Sequence, residues 1–390
     1  MARRCQNRLT GLEDAIGVWY EKETDIHAIA ISYFQDLFTT SQPSRINETV
    51  DCVSKRITKS EGSLLLKAVT QEEVDTVKSL SPSASPGPDG FTRAFFQHHW
   101  AVVGTDVFLV VQSFFHSGKL PRQLNHTLIT LIPKIPNPQN MKQWRPISLC
   151  NVIYKIISKI LTNRLKTVLP QIISPHQSAF VAERQITDNI LVVHEILHSL
   201  QRSKRSDQKT LALKLDMVKA FDRVEWPFLI AMMKKLGFPY QFGSWIFECI
   251  STVSYSVLIN GAAVDNVKPS RGLRQGDPLS PFLFLICAEG LTYLIKAFEE
   301  RQALHGFRLR GDGISISHLL FVDDSVLFCR ADEREAQCVL NILQCYEAAS
   351  GQSVNYDKSS NFYSGNCSLA FAYRWNRSCR LRAAKNLVNI

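Results

Sequence analysis

No C-x-x-C pair occurs in this 390-residue chain, and its ten cysteines are scattered, the closest two being Cys338 and Cys345. Metal clusters and disulfide frameworks need tighter spacing. The cysteines therefore read as small buried hydrophobes of a reducing compartment. Nor is there an uninterrupted apolar run long enough to cross a bilayer, because the richest, residues 281–295, is cut by Glu289. The start, Met1-Ala2-Arg3-Arg4, is basic, but polar residues follow it and no signal-peptide core is present. The expectation is an intracellular protein, nuclear or cytoplasmic, neither secreted nor membrane-spanning. Internal repeats and long low-complexity tracts are also missing. What is present is ordinary for a folded chain: 45% hydrophobic and 21% charged residues, which excludes global disorder. The length allows two or three domains. Lys and Arg number 45 against 35 Asp and Glu, a net charge of +10. Half of that excess lies in residues 374–390, where Arg374, Arg377, Arg380, Arg382 and Lys385 face no acid. A smaller cluster is Arg202, Lys204 and Arg205. This permits a polyanionic partner without requiring one.

Apolar spacing through Ile26, Ile29, Ala30, Tyr33, Phe34, Leu37 and Phe38 marks one helical face, and residues 10–80 read as helical throughout. The stretch SPSASPGPDG, residues 81–90, admits no regular element. Helices are expected from there to about Gly118, then a strand over 128–132, and helices over 152–169 and 186–200. The second half changes character. A strand over 211–215 arrives at Asp216, and a helix over 227–236 is closed by Gly237. Strands over 255–259 and 262–267 flank Asn260-Gly261, a hairpin signal. A long helix over 279–301 follows. Strands over 314–322 and 325–329 flank Asp323-Asp324, Asp332 caps a helix that ends at Gly351, and 361–363 form a last strand. Strand, helix, hairpin, helix, strand is the order of an antiparallel sheet backed by helices, an α+β fold.

The sharpest anomaly is HLLFVDDSVLF, residues 318–328, where two adjacent carboxylates sit in an apolar hairpin. Burying unpaired carboxylates is costly unless cations neutralise them. On that segment alone, an ordinary turn with Asp at its tip is an equal reading. A third carboxylate, Asp216, ends the apolar strand of KLDMVKAFD, residues 214–222. If the two strand ends are neighbours, three hard oxygen ligands converge, a set that suits Mg²⁺ and the two-ion clamp of phosphoryl or nucleotidyl transfer. Asp222 has a plainer reading as a local cap or partner. RGLRQGDPLS, residues 271–280, opens the long helix; Gly276 allows close backbone approach there, and a helix start can receive phosphate.

These segments resemble the reverse transcriptases of non-LTR (LINE-type) retrotransposons, plant elements in particular, over residues 7–360. PGPDG (86–90), LIPK (131–134), RPISLCNVIYKIISKILTNRL (145–165), QSAF (177–180), LDMVKAFDRVEW (215–226), GLRQGDPLSP (272–281), FVDD (321–324) and SGQSVN with Lys358 occur in family order. The resemblance implies a right-handed polymerase: an N-terminal helical extension (1–80), fingers (81–209), a palm with the carboxylates (210–365), and a basic tail (366–390) without family signal, the thumb being truncated or absent. It implies RNA-directed DNA synthesis from dNTPs on a DNA primer and RNA template, with two Mg²⁺ ions, or Mn²⁺ in their place. Asp216 and Asp323 bind both ions, Asp324 supports them, and the Met217 carbonyl faces one. Phe221 excludes a ribose 2′-OH. Gln275, with Gly276 beside it, packs near the incoming nucleotide. Arg145 and Lys134 hold the triphosphate, and Lys358 matches a general acid for pyrophosphate.

The sequence departs from the family at Ser83-Ala84-Ser85, where a Lys is usual, at Glu183, where Gly is usual, and at Val322, where Ala is commonest. The family signal fades after Gly365, and the expectation is a chain with no endonuclease segment ahead of residue 1. That pattern is compatible with a truncated or frame-disrupted copy, so the alternative to an active polymerase is a catalytically silent remnant that only binds nucleic acid. A third reading comes from HEILH (194–198), which matches H-E-x-x-H, the zinc-hydrolase helix pattern, with Glu225 as an available third ligand.

Overall fold

The computed structural model describes residues 8–202, 209–308, 315–379 and 382–383. Two sheets organise it. One has five strands in the order His318–Phe321, Asp324–Arg330, Thr210–Leu215, Ser360–Tyr363 and Arg382–Ala383, antiparallel except for the last pair. The other has four: Trp144–Cys150, His126–Pro133, Ser254–Ile259 and Ala262–Val267. Helices and strands together give the expected α+β class.

The hairpin of 254–267 does form, with Asn260 and Gly261 both at positive φ (51° and 94°), as a type I′ turn requires. It does not join the carboxylate-bearing sheet, however. It pairs in parallel with His126–Pro133 instead. The third partner of that sheet, Trp144–Cys150, was not expected as a strand. Its burial alternates with period two, but Pro146 disguises the pattern. Proline is tolerated because this strand lies at the sheet edge. The helix Tyr240–Ser251 was likewise missed. Residues 10–80 are helical only in part, since Leu12–Glu13 and Trp19–Tyr20 pair as a short hairpin before the helix Glu23–Phe38. The helix expected over 152–169 ends at Lys166, and a new turn, Leu169–Ile172, accommodates Pro170 at its start.

The helix Ser280–Glu300 is the spine of the main core. Every residue from Phe282 to Ile295 is buried, Glu289 included. A helix apolar on all sides belongs inside. By length and composition this helix could cross a membrane, contrary to the sequence expectation, but most of its apolar window is buried against the protein. Asp332 caps the helix Glu333–Ser350 by accepting from the amides of Arg334 (3.0 Å) and Glu335 (2.9 Å), and Gly351 ends it at φ 76°.

Between Ile172 and Ile186 the chain forms a closed loop held by Arg184, whose guanidinium donates to the carbonyls of Ser174 (2.5 Å), Gln177 (2.8 Å) and Ile173 (3.0 Å). Closing it puts Phe180 and Glu183 at positive φ (58° and 65°). This is the physical reason glycine suits position 183. Glu183 is exposed, so relieving its backbone costs no packing. An αL residue other than Gly costs roughly 1–2 kcal/mol, and Gly loses part of that gain to unfolded-chain entropy. Glu183→Gly should therefore stabilise the fold by about 0.5–1 kcal/mol, read as a higher urea midpoint at unchanged m-value. An unchanged or lower midpoint would exclude this origin of the strain.

Candidate active site

Asp216 follows the strand Thr210–Leu215, whose residues Leu211, Leu213 and Leu215 are buried. The chain after Gly351 is laid against it. Met217 pairs with Val354, the Val218 amide donates to Ser353 O (2.8 Å), and the Asn355 amide donates to Asp216 O (2.8 Å). Asn355 Nδ2 also donates to Asp216 Oδ1 (3.1 Å), and Ser359 Oγ accepts from the Asp216 amide (3.1 Å). Gly351 allows this close approach, for a Cβ there would stand 2.4 Å from Arg223 O.

The neighbouring strand brings the other two acids. Ser325 lies opposite Leu215, so continuing the register one step sets Asp324 level with Asp216. Asp324 is the first residue of the return strand, paired with Phe321, and the two-residue turn is Val322-Asp323 rather than Asp323-Asp324. The incoming strand is shorter than expected, His318–Phe321, and Ile314 lies outside the described residues. Burial raises the pKa of Asp323, and the charge of Asp216 raises it further. Burial also raises that of Asp324, followed by the charge of Asp323, while Lys214 and Lys358 oppose the shift.

Asp216 and Asp323 line a cleft of about 880 Å³ whose wall also includes Lys134, Arg145, Met217, Phe221, Gln275, Gly276 and Lys358. The sheet edges thus bring together every residue that the resemblance assigns to the polymerase site except Asp324, which does not line the cleft. Phe221 stacks on Phe284 of the core helix (centroids 4.8 Å, planes 17° apart), which fixes its ring at the cleft wall. Gln275 Nε2 donates to both carboxylate oxygens of Asp222 (3.0 and 3.2 Å), and its carbonyl accepts from the Ser148 amide (2.8 Å). Gly276 turns there at φ 99°. The helix start proper is Ser280, and Asp277 faces inward, accepting from Tyr154 Oη (2.7 Å) beside Arg274 (3.5 Å). A carboxylate already paired in this way argues against a phosphate site at that helix end.

Among the described residues no three acid, imidazole or thiol side chains form a closed metal cage. The donor chemistry nevertheless fits a hard divalent cation. Asp216 and Asp323 share an open cleft, and the charge of the first raises the pKa of the second; Mg²⁺ is commonly held by one or two carboxylates, with water and substrate phosphate completing its shell.

Comparison with known proteins decides the family. Residues 132–381 match the model described as reverse transcriptase (RNA-dependent DNA polymerase). This chain belongs to the reverse transcriptase family. It is 31% identical over 372 residues to an uncharacterized 149 kDa protein of transposon TX1 from Xenopus laevis, covering 94% of this chain and 27% of that protein. It is 24% identical over 331 residues to a retrovirus-related Pol polyprotein of the type-2 retrotransposable element R2DM from Drosophila melanogaster, 85% of this chain and 29% of that one. A probable RNA-directed DNA polymerase from transposon BS of the same fly is 27% identical over 260 residues, 65% of this chain and 27% of its own length. The resemblance to LINE-type reverse transcriptases therefore stands, and the chain spans under a third of the length of each of these relatives. Reverse transcriptases use divalent metal ions and act on template, primer and dNTPs.

Membership of this family leaves the H-E-x-x-H match without a role. His194, Glu195 and His198 are exposed on the helix Ile186–Arg202, whose other face is buried. Glu225 is fully buried elsewhere, accepting from Thr40 Oγ1 (2.6 Å) and from the amide and hydroxyl of Ser41 (2.8 and 2.9 Å). Of the basic tail, Arg374 pairs with Glu333 (2.8 Å) on the helix Leu369–Cys379, whereas Arg380 and Lys385 lie outside the described residues, as do Lys204 and Arg205.

Sequence reasoning missed two groups of this reverse transcriptase's cleft, and the burial of a third group behind it. Tyr33 reaches it from the N-terminal helix. Lys219, at φ 50°, places its amino group 5.6 Å from the centre of the Tyr33 ring. Burial pushes Lys219 down to about 8 against the pull of Asp222, and Lys134 and Lys358 add to the fall. Asp222 is a local partner of Lys219, but a buried one: it is 1% exposed, and burial raises it to about 6 despite Lys219 and Gln275. The only signal was the spacing of LDMVKAFD, which puts a cation three residues after the metal-side acid. Because the folded-state pKa of Asp222 lies above the ordinary 3.8, its protonation favours folding at low pH, and that contribution is lost as pH rises through about 6. Asp222→Asn should therefore raise stability at pH 7 and flatten its decline between about pH 4 and 6. Denaturant melts across that range check it, and an unaltered slope would be incompatible with a buried, proton-taking Asp222.

Proposed function

We propose that this chain carries RNA-directed DNA polymerase activity: a primer 3′-OH attacks the α-phosphate of a dNTP, a new P–O bond forms, and pyrophosphate leaves. The observation that carries this reading is the meeting of Asp216 and Asp323 in a cleft lined by cations. Asp216 and Asp323, with the Met217 carbonyl, would hold two Mg²⁺ ions (or Mn²⁺), which would supply neutralisation of charge on the reacting phosphate and activation of the attacking hydroxyl. Asp324, outside the cleft, lends its charge to the pair. Arg145 binds phosphate as a planar fork and Lys134 as a point charge. Lys358 donates a proton to the departing pyrophosphate. Phe221, braced by Phe284, leaves no room for a 2′-OH. Gln275, pinned by Asp222, presents one face to the incoming nucleotide.

Primer extension on an RNA template with Mg²⁺ tests the reading. Asp216→Asn should lower incorporation by about 10³-fold or more, the worth of several kcal/mol of charge stabilisation. Extension by the variant at the parent rate would sink the assignment. If the parent binds primer–template but extends nothing, the chain is a nucleic-acid-binding remnant. Phe221→Ala should admit ribonucleotides while leaving dNTP incorporation in place, and unchanged discrimination between the two would remove Phe221 from the sugar pocket.

A further inference from the structure

The turn that carries Asp323 is not held by its own hairpin alone. Phe321 pairs with Asp324, so Val322 and Asp323 make the whole loop, and Val322 sits at φ 65°. A β-branched residue at positive φ is a genuine outlier, because its Cβ crowds the backbone; glycine is the usual occupant of such a loop position. Something outside the hairpin must fix it.

The closed loop held by Arg184 lies alongside. Gln177 pairs in parallel with Leu320 on the outermost strand, whose amide donates to His176 O (2.9 Å). Asn189 Nδ2 bridges His176 O (2.9 Å) and Leu320 O (3.2 Å), and the His176 ring stacks on His318 at 4.2 Å. The Gln177 side chain, 1% exposed, ends against the turn. Its Oε1 accepts from the Val322 amide (3.2 Å) and from the Ala179 amide (3.0 Å). Two backbone donors converge on one atom, so that atom is the oxygen and the carboxamide orientation is fixed. Among the described residues Nε2 has no hydrogen-bond partner, so the acceptor oxygen is what this side chain contributes.

We infer that Gln177 is a positioning residue for Asp323: its carboxamide oxygen holds the Val322 amide, fixes the strained turn, and so aims the Asp323 carboxylate into the cleft. The inference rests on the reading of Asp323 as a carboxylate of the polymerase site. Gln177 touches neither substrate nor reacting atoms. Its effect passes through the turn, where a displacement of about 1 Å at a reacting group can cost 10²-fold in rate.

The test uses Gln177→Met, which keeps the volume and removes the acceptor. In the metal-free protein labelled with ¹⁵N-valine, the Val322 amide should exchange several-fold to about tenfold faster, the worth of one hydrogen bond. In single-turnover primer extension the incorporation rate should fall about 10–100-fold with dNTP affinity within about twofold, the pattern of an interaction felt in the transition state. Adding Val322→Gly to Gln177→Met should restore most of the rate, because glycine takes this φ without strain. Unaltered Val322 protection in Gln177→Met would overturn the inference, as would a rate loss that Val322→Gly leaves whole. If Gln177→Met does not fold, Gln177→Asn, whose oxygen falls one methylene short, takes its place. If the parent lacks polymerase activity, the amide measurement still decides whether Gln177 holds the turn, and the two failures stay distinct.

Discussion

The antiparallel pairing that sets Ser325 opposite Leu215 forces acids together that would otherwise repel. Two unit charges 4–6 Å apart near a protein surface repel by roughly 3–4 kcal/mol at an effective dielectric of 20. Against that, Leu211, Leu213, Leu215, Val326, Leu327 and Phe328 are all buried at 3% exposure or less. Each contributes about 1.5–3 kcal/mol on burial. The apolar faces of the two strands therefore win, and the acids are carried to the sheet end whether or not their charges agree. The repulsion left over is of the kind a divalent cation relieves, in keeping with a family that uses divalent metal ions.

A second layer keeps that edge in place without touching the chemistry. The segment after Gly351 runs backbone to backbone along residues 216–218, and Gln352 Nε2 donates to Ala220 O (2.8 Å). The loop before the core helix is fastened by Arg274, which is buried, donates to Asn125 Oδ1 (2.6 Å) and Cys249 O (2.8 Å), and lies 3.8 Å from the centre of the Tyr154 ring. Gln275, whose carbonyl accepts from the Ser148 amide and whose side chain donates to Asp222, ties the four-stranded sheet, which carries Arg145 and leads into Lys134, to the segment that follows Asp216. The two halves of the cleft are thereby fixed at one spacing. Cations on one wall and acids on the other suit a substrate that is itself polyanionic and metal-bound.

Much of this was legible in the sequence. Asn260-Gly261, Gly237, Asp332 and Gly351 state their turns and caps locally, because each needs only a positive φ or one side-chain acceptor. The motif order identified the reverse transcriptase family, since eight short patterns in sequence leave little room for coincidence. The departure at Glu183 was also visible, although its cause, a backbone angle of 65°, was not.

What the sequence could not determine depends on which strand lies beside which. The 254–267 hairpin has the same local signature wherever it docks, and only its parallel partner His126–Pro133 decides the sheet. Asp222 reads as a local cap or partner, and only the helix Glu23–Phe38 and Gln275 closing over it make it buried, so its raised pKa is a property of packing alone. Gln177 stands 145 residues before the turn it holds, and no periodicity or spacing connects the two. Residue types and the local turns and caps were determined by the sequence itself; the meeting of distant strand edges, and with it the charge and aim of the cleft, was decided by the tertiary fold.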